Sequence, residues 1–200
     1  MQELETLFET FVEGVLERNY AVIDDFLPAP LVTSLRHNLL HRKAEGLMHP
    51  AGIGKHFTYQ KNLRVRGDLI SWIDEHPADP SEVAFIQRVE QLIQYLNRTC
   101  FTALNGFEFH YAFYDEGSFY KRHLDQFQHD RGRKFTLVTY LNEDWKEADG
   151  GQLVLYLPEG PQEVLPLGGR AVFFKADEIE HEVRMAHRPR FSIAGWLLSR

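Results

Sequence analysis

Five side chains in this sequence have the types and spacing that metal chemistry needs. His123 and Asp125 stand two residues apart in Tyr120-Lys121-Arg122-His123-Leu124-Asp125, which reads as a strand end. Residues i and i+2 of a strand share a face, so both can grip one metal ion while Leu124 turns away into packing. His181, just after the apolar run 171–174, offers a second imidazole from a strand late in the chain. Two imidazoles and one carboxylate leave the opposite side of a metal open, the arrangement that non-haem Fe(II) oxygenases use. Zinc accepts the same donors. Arg190 opens the apolar stretch Arg190-Phe191-Ser192-Ile193-Ala194-Gly195-Trp196. A guanidinium there is costly unless it meets an anion, and it makes a good bidentate clamp for a carboxylate. Tyr140, within Thr139-Tyr140-Leu141-Asn142, can donate its hydroxyl to that same carboxylate.

These residues need a frame. Apolar positions at helical spacing predict helices over residues 1–18, after Pro30, and from an N-cap at Ser81 through Leu96. Tyr20–Ile23 and the stretch around Leu69 to Ile73 read as short strands. Residues 46–67 break the pattern with Pro50, Gly52 and Gly54 among Lys55, His56, Lys61, Arg64 and Arg66. That is a long basic loop, a type of segment that often serves as a lid or binding loop. From Phe107 onward the segments are short, alternating and rich in aromatic and β-branched residues. Turn signals at Gly150-Gly151, Pro158-Glu159-Gly160-Pro161 and Gly168-Gly169 separate them. Many short strands so spaced argue for an antiparallel sandwich or barrel. The expected fold is thus α+β and mainly β: a jelly-roll core with N-terminal helices bracing one sheet.

Composition narrows the class further. Two hundred residues suit one domain with a sizeable core, and a hydrophobic share of 44% with 26% charged is ordinary for a globular chain. A net charge of −7 disfavours a nucleic-acid surface. No run approaches the roughly 20 apolar residues that span a bilayer. The single cysteine, Cys100, excludes an internal disulfide and fits a reducing cytosol; it reads as a small core residue. The N-terminus is acidic and lacks a long apolar segment, so the expected location is cytoplasmic. His37, His41, His49, His56, His76, His110, His129 and His187 lie in no matching motif and are assigned to surface or packing.

The same stretches carry a resemblance. Residues 120–125, Tyr140-Leu141-Asn142-Glu143-Asp144-Trp145, Gly150-Gly151-Gln152-Leu153, Pro158-Glu159-Gly160, His181-Glu182-Val183 and 190–196 resemble the Fe(II)/2-oxoglutarate dioxygenases. Among these they are most similar to prolyl hydroxylases of the animal oxygen-sensing type and their bacterial relatives. Arg66-Gly67-Asp68 with Trp72-Ile73 resembles the segment after the substrate-facing loop of that family. The resemblance implies a double-stranded β-helix and makes His123, Asp125 and His181 the iron ligands. It implies that Arg190 and Tyr140 bind the distal carboxylate of 2-oxoglutarate, with O₂ as second co-substrate and ascorbate as reductant. Phe113 stands where a pocket tyrosine is usual in the family, and Ala194 where a polar side chain often sits.

The expectation is therefore one dioxygenase domain over residues 1–200. Residues 1–100 would give helical support and a substrate loop, and 101–200 the β-core. Its reaction would hydroxylate a prolyl residue of a protein or peptide, releasing succinate and CO₂, with the loop before Arg66 closing on that partner. The alternatives are the same chemistry on a free amino acid or other small molecule, and a non-catalytic jelly-roll module that holds a metal.

Overall fold

The computed structural model describes residues 2–51, 66–126 and 132–199. Residues 52–65, which make up most of the expected substrate loop, lie outside the described residues, as do His56 and His129. In chain order the elements are α1 (Gln2–Arg18), β1 (Tyr20–Ile23), α2 (Ala29–Ala44), β2 (His49–Pro50), β3 (Asp68–Trp72), α3 (Pro80–Cys100), β4 (Gly106–Tyr114) and β5 (Tyr120–His123). They continue with β6 (Arg133–Tyr140), β7 (Leu153–Leu157), β8 (Gly160–Val164), β9 (Ala171–Lys175), β10 (Glu180–Val183) and β11 (Arg190–Leu198). No described helix is long and apolar enough to cross a membrane.

The strands form two antiparallel sheets, a jelly roll with helices on one side. The larger has the order β1-β9-β6-β11-β4-β3-β2, the smaller β5-β10-β7-β8. The first half of the chain therefore supplies both edges of the larger sheet as well as the helices. Strand alternation divides this sheet's side chains between its two faces. Phe109, Tyr111 and Phe113 of β4 join Ile193 and Leu197 of β11 in a core shared with the helices. Ala112 and Tyr114 of β4, with Val138 and Tyr140 of β6, face the smaller sheet and meet Leu153, Leu155 and Val183. The functional residues of the sequence reading fall on this second, inner face.

The helix-side core is aromatic. Phe11 of α1 packs its ring 5.3 Å from Phe26 and 5.1 Å from Phe173 of β9. Each fully buried ring contributes roughly 1.5–3 kcal/mol by leaving water, which is why α1 adheres to the sheet. A polar tie joins α2 and α3 to β4. The buried Glu82 carboxylate accepts from Arg42 at 2.7 Å and from the Tyr111 hydroxyl at 3.0 Å. Arg42 also reaches Ser71 of β3.

Three local expectations are corrected. The N-cap of α3 is Asp79, not Ser81, because Pro80 already occupies the first turn. Asp79 accepts from the Ser81 and Glu82 N–H groups at 2.9 and 3.1 Å and from Asn38 of α2 at 2.7 Å. Cys100, expected in the core, is exposed, because it ends α3 just before the left-handed Phe101. Leu124, expected to pack, is 39% exposed, because β5 has already ended at His123. Replacing the cap, Asp79→Ala, should cost about 1–2 kcal/mol in urea unfolding without changing the fold; an unchanged midpoint would show that Ser81 carries the cap.

Candidate metal centre

The smaller sheet brings the two histidines together. His181 on β10 is directly opposite His123 on β5 in the antiparallel register, and their rings are 4.3 Å apart. Asp125 lies in the bend beyond β5, so its approach comes from the turn rather than from strand alternation. One carboxylate oxygen is 3.4 Å from His123 Nε2 and the other 3.5 Å from His181 Nε2. One donor atom from each of the three residues falls within 4.8 Å of the others, the one such cluster among the described residues.

Hydrogen bonds orient each member. The Nδ1 of His123 bonds the Lys121 carbonyl at 2.8 Å, and that of His181 bonds the Ile179 carbonyl at 3.1 Å. Both contacts direct Nε2 toward the cluster, the way backbone carbonyls fix the tautomer of metal-binding histidines. The Thr136 hydroxyl donates to Asp125 Oδ2 at 2.8 Å, and an Arg133 N–H donates to the Asp125 backbone carbonyl at 3.2 Å.

Protonation suits metal binding. Burial pushes His181 down to about 4, so its ring is neutral with a free lone pair at neutral pH. Burial acting alone would raise the Asp125 carboxyl, but the two histidines outweigh it and hold the group well below the ordinary carboxylate range.

Arg190 is buried at 1% exposure, at the start of β11 on the same inner face. Its Nε donates to the Gly151 carbonyl at 2.8 Å and its Nη1 to the Ser192 hydroxyl at 3.3 Å. The guanidinium also lies 5.0 and 5.1 Å over the Tyr114 and Tyr140 rings. Among the described residues no carboxylate forms an ion pair with it. Beside it, the buried Tyr140 hydroxyl has no hydrogen-bond partner, and burial pushes its pKa up to about 12, so it is a donor. A buried unpaired cation and an idle donor fit an incoming carboxylate.

The inward-facing residue at this end of β4 is Tyr114, not Phe113. Phe113 faces the helices, beneath Lys43, while Tyr114 points inward at Arg190. Every residue from Phe109 to Tyr114 is buried, so hydrophobicity alone could not reveal which side chains face the site. Thr136 and Arg133 also border Asp125 and carried no functional signal in the sequence, and Trp196 carried none beyond its place at the end of the stretch 190–196. The Trp196 N–H is buried without a partner and helps lower Asp125 without reaching hydrogen-bonding geometry. Arg133 stacks on its ring at 3.4 Å.

Residues 109–198 match the model of the 2OG-Fe(II) oxygenase superfamily. A Pseudomonas putida prolyl-4-hydroxylase structure is 36% identical, with a TM-score of 0.88, and the match covers 96% of this chain and 99% of that one. This chain belongs to the 2OG-Fe(II) oxygenase superfamily. A Trichoplax adhaerens prolyl hydroxylase, solved with a hypoxia inducible factor peptide fragment, is 26% identical with a TM-score of 0.89, covering 99% of this chain and 91% of that one. The Caenorhabditis elegans hypoxia-inducible factor prolyl hydroxylase is 29% identical over 98% of this chain and 29% of its own length. The human Egl nine homolog 1 is 31% identical over 66% of this chain and 33% of its length. The chain thus spans about a third of the length of these two curated relatives. Superfamily membership brings Fe(II), 2-oxoglutarate and O₂, for which the His-Asp-His cluster and the Arg190 cradle are chemically apt.

The inner face also holds a second depressed histidine. His110 of β4 is buried between Trp72, at 4.9 Å, and Trp196, at 5.6 Å. Burial first, and then the neighbouring Arg66 and Arg133, push it down to about 3, against the pull of Asp68 and Asp125. A histidine lowered from about 6.5 on folding contributes stability that is complete above that pH. That stability is lost as pH falls through the window down to the folded value, at about 1.4 kcal/mol per unit of depression. The urea midpoint of the metal-free protein should therefore fall steeply from pH 7 to pH 4.5. In His110→Phe the slope should be shallower, and an unchanged slope would show that His110 does not carry it.

Proposed function

We propose that this protein is an Fe(II)- and 2-oxoglutarate-dependent dioxygenase that hydroxylates a prolyl residue in a protein or peptide. The observation that carries the oxygenase half is Arg190: a buried cation without an acidic partner among the described residues, beside an idle phenol, on the wall that faces the His-Asp-His cluster. The prolyl half rests on likeness to the Pseudomonas putida prolyl-4-hydroxylase along nearly the whole of both chains.

In this reading His123, Asp125 and His181 hold the iron, and Arg190 with Tyr140 receives the distal carboxylate of 2-oxoglutarate. When bound, iron and 2-oxoglutarate supply the oxidising chemistry: O₂ is split between succinate, formed with loss of CO₂, and the hydroxyl placed on the substrate carbon. The chain's own residues do the positioning. Thr136 and Arg133 fix Asp125, the two carbonyl contacts set which imidazole nitrogen faces the cluster, and Val138, Leu155, Phe174 and Val183 keep the interior dry. Ascorbate serves as the reductant that keeps the iron ferrous. The reading places the protein in the cytoplasm, which its lone cysteine supports.

The decisive assay offers proline-containing peptides with Fe(II), ascorbate and 2-oxoglutarate. Succinate should form, together with a gain of one oxygen on proline by mass spectrometry. Succinate released with free amino acids and never with peptides would overturn the prolyl assignment. His123→Ala should abolish metal binding. Arg190→Ala should raise the KM for 2-oxoglutarate by roughly 10- to 100-fold, the scale of one or two charged hydrogen bonds. An unaltered KM would remove Arg190 from the co-substrate site.

A further inference from the structure

His123 is the least embedded of the three donors. It ends a four-residue strand at the edge of the smaller sheet and is only half-buried, whereas Asp125 and His181 are buried. On one side β10 holds β5 through a register that slips between His181 and Val183. On the other side the start of β5 and the residue before it meet Arg66 and Gly67. Arg66 bridges Tyr120 in antiparallel fashion, and the Gly67 N–H donates to the Phe119 carbonyl at 3.0 Å.

The side chains at this seam form three layers. The Arg66 guanidinium sits 4.1 Å over the Tyr120 ring, and that ring stacks on the His123 imidazole with centroids 3.6 Å apart and planes within 16°. Arg66 is itself clamped by Asp68, with Nε to Oδ1 at 2.7 Å and Nη2 to Oδ2 at 2.6 Å. Asp68 is buried and begins β3 of the larger sheet. A rigid carboxylate of one sheet thus reaches, through a guanidinium and a phenol, a donor ring of the other.

We infer that Tyr120, held by the Arg66–Asp68 pair, is a positioning residue for His123. This rests on the reading of His123 as a metal ligand. The Lys121 carbonyl contact fixes which nitrogen of His123 faces the cluster, but one hydrogen bond leaves the ring plane free to swing. Face-to-face stacking removes that freedom. The guanidinium in turn holds the phenol by cation–π attraction, and its fork on Asp68 sets its plane as lysine could not. The seam therefore defines where the half-buried donor stands before any metal arrives.

Metal binding tests this without turnover. The proteins are wild type, Tyr120→Leu, Tyr120→Phe, Arg66→Lys and His123→Ala. Each would be titrated with Mn(II) by electron paramagnetic resonance and with Co(II) by visible absorption, with circular dichroism of the metal-free forms to check folding. Tyr120→Leu should weaken Mn(II) binding by about 10- to 100-fold, the usual cost of losing support behind a ligand, and shift the Co(II) bands. Tyr120→Phe, which keeps the ring, should restore both, and Arg66→Lys should fall between. Wild-type affinity and spectrum in a folded Tyr120→Leu protein would overturn the inference. If that variant does not fold, Arg66→Lys with wild-type affinity and bands would overturn it instead. Undiminished metal binding by His123→Ala would overturn the ligand assignment on which the inference depends, separately from any role of the seam.

Discussion

A guanidinium buried without a counter-charge costs several kcal/mol even after relaxation, and Arg190 is among the largest fully buried side chains of this protein. Much of the inner face is arranged around that cost. The Gly151 carbonyl and Ser192 hydroxyl accept from it, and two tyrosine faces lie against it. These partners are neutral, so they satisfy hydrogen bonds and leave the charge unmatched among the described residues. The constraint extends to the Gly150-Gly151 turn. Gly151 has φ +65°, and a Cβ there would come within 2.9 Å of Arg190 Cδ and 3.2 Å of the Trp145 ring. Only glycine gives the backbone that closeness and that conformation together.

The two sheets divide the work. The larger presents Arg190, Tyr114, Tyr140 and Thr136 from central strands with paired neighbours on both sides, which suits groups that must not move. The smaller contributes His123 and His181 from short strands. The helices cover the larger sheet's other face, where Phe11, Phe85, Phe109 and Phe173 fill the core.

Much of this was legible in the sequence because the chemistry is concentrated in a few unusual placements. An arginine in an apolar strand, and an imidazole two residues from a carboxylate, stand out against any core. The helices were legible from apolar periodicity, and the jelly roll from short strands and glycine-rich turns. What was not legible depends on choices that periodicity does not encode. Strand β4 is buried on both faces, so the choice between Phe113 and Tyr114 was settled only by pairing with β11, which sets Tyr114 opposite Arg190. The cap at Asp79 turned on whether Pro80 stands inside or before the helix. Leu124 and Cys100 each sit where an element stops, and there the inside–outside pattern lapses.

Charge pairing gives a stronger argument for the cluster's occupant than any single distance. Arg66 is matched by Asp68, Arg133 by Glu108 and Arg42 by Glu82. On the inner face two buried charges remain without an ionic partner of fixed charge among the described residues: the Asp125 carboxylate, flanked by imidazoles of which the buried His181 is neutral at neutral pH, and the Arg190 guanidinium. With iron at Asp125 and 2-oxoglutarate at Arg190, as proposed above, a divalent cation and a doubly charged anion would bring opposite charges to those two positions, and the four charges would sum to zero. Iron alone would leave an excess of positive charge in a low-dielectric interior, and 2-oxoglutarate alone an excess of negative charge. Each therefore improves the site for the other, so the two are expected to bind with positive coupling that originates in the protein's own unpaired charges.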